Sequence, residues 1–158
     1  MMRVVIAAAL LLAAWLPASA GSVEDRNKAV TVDFFQDVLS EGHLDHYARS
    51  HAPDFVVHTG MGDLPLAADL AAATEERKAL PDMRFDVRHL MAEDDMVLVH
   101  WTVSGTNTGD GMGFHATGRT ISVSGMTLFR FKAGKISEEW SVFDMLGAYR
   151  QAGLIPAK

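Results

Sequence analysis

The sequence predicts an α+β domain, and three features predict it. Helical apolar patterns fill the first half of the chain, alternating strand patterns follow, and a short helical pattern closes it. That order describes helices packed on one face of a curved, mostly antiparallel sheet. A sheet of this kind leaves a pocket at its open end, suited to a small apolar ligand held by a few polar anchors.

The elements follow in order. In "EDRNKAVTVDFFQDVLSEGHLD", Val30, Phe34, Val38 and Leu39 share a helical face with Ala29 beside them, and Gly42 ends the helix. Leu44, Tyr47 and Ala48 indicate a second short helix, and "DFVVH" after Pro53 a short strand. The alanine-rich stretch "LPLAADLAAATEERKAL" is helical until Pro81. "MRFDVRHLMAE" and "MVLVHWTVSGT" alternate as strands around a turn at Glu93-Asp94-Asp95, which makes a hairpin. The glycine-rich "NTGDGMGFHATG" is a loop. "RTISVSGMTLFRF" and "KISEEWSVF" pair across Ala133-Gly134, and "DMLGAYRQAGLIP" forms a last helix ending near Gly153.

Residues 1–20 stand apart. Arg3 precedes an apolar run from Val4 to Leu16, Pro17 breaks it, and Ala18-Ser19-Ala20 is a small-x-small cleavage pattern. The run of about 13 residues is short of the roughly 20 that span a bilayer. This reads as a signal peptide cut after Ala20, leaving 21–158 as a single domain, periplasmic or secreted, without a stable membrane anchor. The whole chain has a net charge of −6, and losing Arg3 makes it more negative still. Nucleic acid is therefore not an expected partner. With no cysteine, thiol nucleophiles and cysteine-held metals are excluded.

Asp144 is the leading candidate for chemistry, because it sits within an apolar run between Phe143 and Met145. If the strand continues through it, Glu138, Trp140, Val142 and Asp144 share one face. The apolar members would turn that face inward and raise the carboxyl's pKa into the range useful for proton transfer. The competing role is the N-cap of the last helix, and the two roles are compatible. Arg130 shares a face with Met126 and Leu128. It is either the inward partner of Asp144 or a rim residue with a buried stem. His58 ends its strand beside a pocket mouth. His43 and His46 straddle a helix start and there is no His-Glu-x-x-His, so no metal site is expected. The glycine loop lacks the Gly-Lys-Ser/Thr of a phosphate loop.

The second half also resembles the SnoaL-like polyketide cyclase, or ester cyclase, family. The elements that carry the likeness are Gly105-Thr106, Thr117-Gly118-Arg119, Arg130, Gly134-Lys135-Ile136, Glu138, Trp140, Asp144, and Gln151 with Gly153. "DFFQDVLSEGHLD", "PDFVVH" and "LPDMRFDV" extend it through the first half. The resemblance implies the nuclear-transport-factor-2-like fold, a cone-shaped α+β barrel around a pocket. It implies an aspartate at Asp144 acting as general acid and base in a cofactor-free cyclisation, isomerisation or hydrolysis of a small apolar carbonyl compound. Arg130 and His58 would assist, and Trp140, Glu138, Trp101 and Asn107 would contact substrate. Neither cofactor nor metal is implied, and dimers are common in the family, which makes a homodimer a possible assembly. Asn107 departs from the family, which often has His there, so a titrating group is lost at that position. The alternative function is a non-catalytic ligand-binding or dimerisation domain, because one fold hosts many activities.

Overall fold

The computed structural model describes residues 21–113 and 115–156; the expected leader lies outside them. Ser22 caps the first helix, α1 (Val23–Asp33), its hydroxyl accepting the Asp25 amide at 3.1 Å. The helix widens into a π-helical stretch over Phe34–Ser40, closed by Gly42 at φ 83°. This wider turn departs from the expected 3.6-residue face. It buries Phe34, Phe35 and Val38 together and leaves Ala29 exposed. A 3₁₀ turn (Leu44–His46) and a one-turn helix, α2 (Tyr47–Ser50), lead into strand β1 (His51–Thr59).

A short strand, β2 (Gly62–Pro65), precedes helix α3 (Leu66–Ala79). β2 was not expected, because four residues carry too little pattern; its pairing with β1 creates it. Then come β3 (Arg84–Glu93), β4 (Met96–Thr106), β5 (Thr120–Lys132), β6 (Lys135–Phe143) and helix α4 (Met145–Ala152). The strands form one sheet in the order β2-β1-β6-β5-β4-β3, with β1 parallel to β6 and the other pairs antiparallel. The sheet is not closed, and the expected α+β architecture with helices packed on it is present.

Strand alternation decides what the helices cover. Val97, Val99, Trp101 and Val103 of β4 are buried, as are Ile121, Val123, Thr127, Phe129 and Phe131 of β5. Each fully buried Phe or Val contributes about 1.5–3 kcal/mol. Phe34 and Phe35 meet Phe129 edge-on at 6.2 and 6.3 Å, which locks the first helix onto the sheet. Arg77 fastens α3 to the π-helical stretch. Its guanidinium donates to the carbonyls of Leu39, Ser40, Pro81 and Met83. Among the described residues, no helix is long and apolar enough to cross a membrane.

Candidate functional site

The parity of β6 determines which of its side chains reach the interior. Phe131 pairs with Ile136, but Arg130 pairs with Glu138, so Ser137 is an extra residue, a β-bulge. Ile136 and Ser137 are both buried, and alternation resumes one step out of phase. Glu139, Ser141 and Phe143 therefore line the cavity, while Glu138 and Trp140 turn to the opposite face. This corrects the expected inward face of Glu138, Trp140, Val142 and Asp144.

Asp144 caps α4. Its Oδ1 accepts the Gly147 amide at 2.8 Å, and its side chain is exposed and outside the cavity lining. Arg130 does not meet it. The guanidinium donates to Glu138 at 2.7 Å, lies 3.7 Å from Asp95, and sits 5.5 Å over the Trp140 ring. His58 lies at the cavity rim. Its ring stacks on Trp140 at 4.6 Å and bonds Asp63 at 2.9 Å and Glu138 at 3.0 Å. These two carboxylates hold the imidazole pKa above its ordinary value, and Arg130, with His58, holds Glu138 below its own. Arg130, His58, Glu138 and Trp140 thus form a linked polar group on the outer side of the sheet.

Trp101 and Asn107 do line the cavity. Asn107 is fully buried and its amide is saturated. It donates to the carbonyls of Ala79 and Gly109, each at 3.1 Å, and accepts from the Thr117 amide and hydroxyl. It pins the glycine-rich loop to α3.

The cavity measures about 420 Å³ and its walls are mainly apolar. Beside His58, Trp101 and Asn107, it holds polar groups that sequence reasoning passed over: Tyr47, Asp69, Glu76, Glu139, Ser141 and Thr127. His51 lies close by, with ring nitrogen and carboxylate oxygens of His51, Asp69 and Glu139 within 4.8 Å of one another. Asp69 and Glu76 stand two turns apart on α3. The Trp101 indole N–H donates to Thr127 Oγ1 at 3.0 Å, the Thr127 and Ser141 hydroxyls are 2.8 Å apart, and Ser141 donates to Glu139 Oε1 at 2.6 Å. Tyr47 donates its hydroxyl to Asp69 Oδ2.

No Lys or Arg belongs to the described cavity lining. Burial raises the pKa of Asp69, and burial with the negative charge of Asp69 raises that of Glu139. Glu76 is pushed up to about 7, first by burial and then by Asp69. Burial and the charge of Asp69 also raise Tyr47, which stays a hydroxyl donor. Burial pulls His51 down to about 4, so its ring is neutral at pH 7. The Glu76 carboxyl, unlike those of Asp69 and Glu139, receives no side-chain hydrogen bond among the described residues, so it is the least tethered acid of the group.

Comparison with known proteins places this geometry in context. The profile of the SnoaL-like polyketide cyclase family matches residues 29–152. The chain is similar to AclR, a proposed hydroxylase from Streptomyces galilaeus, with 27% identity, a TM-score of 0.79 and 85% of each chain covered. It is also similar to a proposed polyketide cyclase from Acidithiobacillus ferrooxidans, with 29% identity and a TM-score of 0.73 over 86% of this chain and 100% of that one. A proposed SnoaL-like cyclase from Jannaschia, 19% identical with a TM-score of 0.77 over 88% of this chain and 99% of that one, shows the shared fold alone. No curated protein matches the chain.

Proposed function

The chain belongs to the SnoaL-like polyketide cyclase family, and from that footing we propose that its cavity takes a small, largely apolar, carbonyl-bearing molecule and that Glu76 moves a proton on it. The observation that supports this is a set of half-buried carboxyls facing an apolar cavity whose described lining has no Lys or Arg to neutralise them. A carboxyl titrating near 7 is half ionised at neutral pH, where it can both abstract a proton and return it. Ionised Glu76 removes a proton from the carbon beside the ligand carbonyl. The resulting enolate then closes a ring, shifts a double bond or expels a leaving group. Cyclisation and isomerisation share that first step, whereas in a hydrolysis Glu76 takes its proton from a water that adds to the carbonyl as the leaving group departs; the family's range of chemistries leaves the choice open. The bulk of the ligand rests on Phe34, Phe35, Trp101 and Phe129, which favours flat or aliphatic bodies over charged ones.

We also propose that the protein is exported from the cytoplasm, on the strength of the leader pattern in residues 1–20. Cleavage after Ala20 would leave Gly21 and Ser22 in place, and Ser22 is the residue that caps α1. Intact mass of the protein exported from a bacterial host tests this, with a mature chain starting at Gly21 as the expected result and a retained leader as the contrary one.

The reaction is tested by incubating the protein in D₂O with aryl ketones such as α-tetralone and following deuterium entry beside the carbonyl. Wild type accelerates exchange and Glu76→Gln loses the acceleration. Ligand-induced stabilisation without any exchange would instead identify a binding domain of the same fold.

A further inference from the structure

We propose that His51, Asp69 and Glu139 form a binding site for a divalent transition-metal ion at the polar end of the cavity. His51 is 2% exposed and stacks on Tyr47 with the ring centroids 4.6 Å apart. Its Nδ1 lies 3.0 Å from both the Tyr47 carbonyl and the Ser50 hydroxyl; the carbonyl can only accept, and Ser50 gives its own hydrogen to that carbonyl at 3.1 Å, so Nδ1 carries the hydrogen. Nε2 is then a lone pair, and it is buried with no hydrogen-bond partner. A buried acceptor of this kind without a donor is costly, on the order of 1–3 kcal/mol.

What the lone pair faces identifies the missing group. An oxygen of Asp69, an oxygen of Glu139 and a ring nitrogen of His51 stand within 4.8 Å of one another, and with Nδ1 engaged by Tyr47 it is Nε2 that is free for the shared ion. Two carboxyls and an imidazole lone pair are all electron-rich, and no lysine or arginine reaches the cavity lining among the described residues. A cation bonded at about 2.1 Å holds its ligand atoms roughly 3–4 Å apart, so closure requires shifts of about 1 Å. One imidazole and two carboxylates suit zinc, manganese or cobalt better than magnesium, which takes oxygen ligands and keeps its water.

Each of the three groups is also held from behind, as metal ligands are. The Tyr47 carbonyl fixes the His51 tautomer, the Tyr47 hydroxyl holds one Asp69 oxygen, and Ser141 holds one Glu139 oxygen. Each is left with a second atom for the ion. The site departs from the metal-free chemistry that the family resemblance implies. Its occupation does not depend on the reaction assigned to Glu76, and binding is read without substrate.

The rival occupant of the space is a proton shared between a carboxyl and Nε2, which predicts no metal binding. A second cluster, Asp37 with His43 and His46, provides the control. Both histidines there already bond Asp37, at 2.6 and 2.7 Å.

The test is calorimetric titration of metal-stripped protein with ZnCl₂ and MgCl₂, and with CoCl₂ followed by visible absorption. The expected result is one high-affinity Zn²⁺ per chain, at least tenfold weaker Mg²⁺, and a Co²⁺ absorption band. Glu139→Gln and Asp69→Asn, both close in shape to the originals and checked for folding by circular dichroism, each weaken Zn²⁺ at least 30-fold. Ser141→Ala weakens it about tenfold. The double variant His43→Gln/His46→Gln stays within threefold of wild type. The proposal is overturned by absence of saturable Zn²⁺ binding, by unchanged affinity in folded Glu139→Gln or Asp69→Asn, or by loss confined to the His43/His46 variant.

Discussion

Ser141 donates its hydroxyl to Glu139 Oε1 at 2.6 Å, two residues back along β6 on the same inward face. The direction of donation propagates. Ser141 must accept from Thr127, and Thr127 from the Trp101 indole, so a side-chain chain crosses three strands to reach the carboxyl. Thr127→Val keeps the shape but removes the middle of this chain, leaving the Trp101 N–H and the Ser141 oxygen without their partner. Urea denaturation should show a loss of about 1–3 kcal/mol, and Thr127→Ser should restore most of it. Equal midpoints for wild type and Thr127→Val would mean that the chain is not what satisfies these groups.

Asp144 acts at a helix end. Asp144→Ala removes the acceptor for the Gly147 amide and should cost about 1 kcal/mol, while Asp144→Asn, also a good cap, should cost only a few tenths. Thermal melts distinguish the two. A marked loss in Asp144→Asn would point to a buried charge that this geometry does not contain.

The cavity-facing Glu76 of α3 makes stability depend on pH. The folded-state pKa of Glu76, about 7, lies above its ordinary value of 4.5. The folded chain therefore binds the proton more tightly than the unfolded one. The stability this supplies is complete below pH 4.5 and is lost as pH rises through 7. Glu76→Gln carries no such charge. Its melting temperature should match wild type near pH 4.5 and exceed it at pH 8, by the equivalent of about 3 kcal/mol. Identical melting at pH 8 would contradict the burial of this carboxyl.

The cavity wall depends on one glycine. A Cβ at Gly125 would stand 2.4 Å from the Trp101 ring and 2.8 Å from Phe143 Cβ. Gly125→Ala should push the indole off its place, costing about 1–3 kcal/mol and shifting tryptophan fluorescence. Unchanged fluorescence and stability would show that the wall yields without strain.

Much of the fold was legible because its signals are local. Gly42, Pro81, Asp94 and Gly134 mark element ends through backbone chemistry, and the alternation in β4 and β5 is regular. The site was less legible. Ser137 looks like any strand residue, yet as a bulge it exchanges the two faces of β6 and puts Glu139 where Glu138 was expected. A bulge is set by pairing with a neighbour, which periodicity does not record. Asp69 and Glu76 left a fainter trace: two acids seven residues apart, flanking the buried Ala73 on one helical face. His51 left none, because its burial follows from Phe34, Tyr47 and Phe55 closing around it.

The central claim, that proton transfer belongs to the cavity acids and not to the cap of α4, is tested most directly by one comparison. Deuterium entry beside the carbonyl of α-tetralone and related aryl ketones is followed at pH 7 with wild type, Glu76→Gln and Asp144→Asn. Wild type should accelerate exchange, with a rate that rises with pH through about 7. Glu76→Gln should fall by about a hundredfold or more, and Asp144→Asn should stay within about threefold. A folded Asp144→Asn that loses the acceleration, beside a Glu76→Gln that keeps it, would contradict the account.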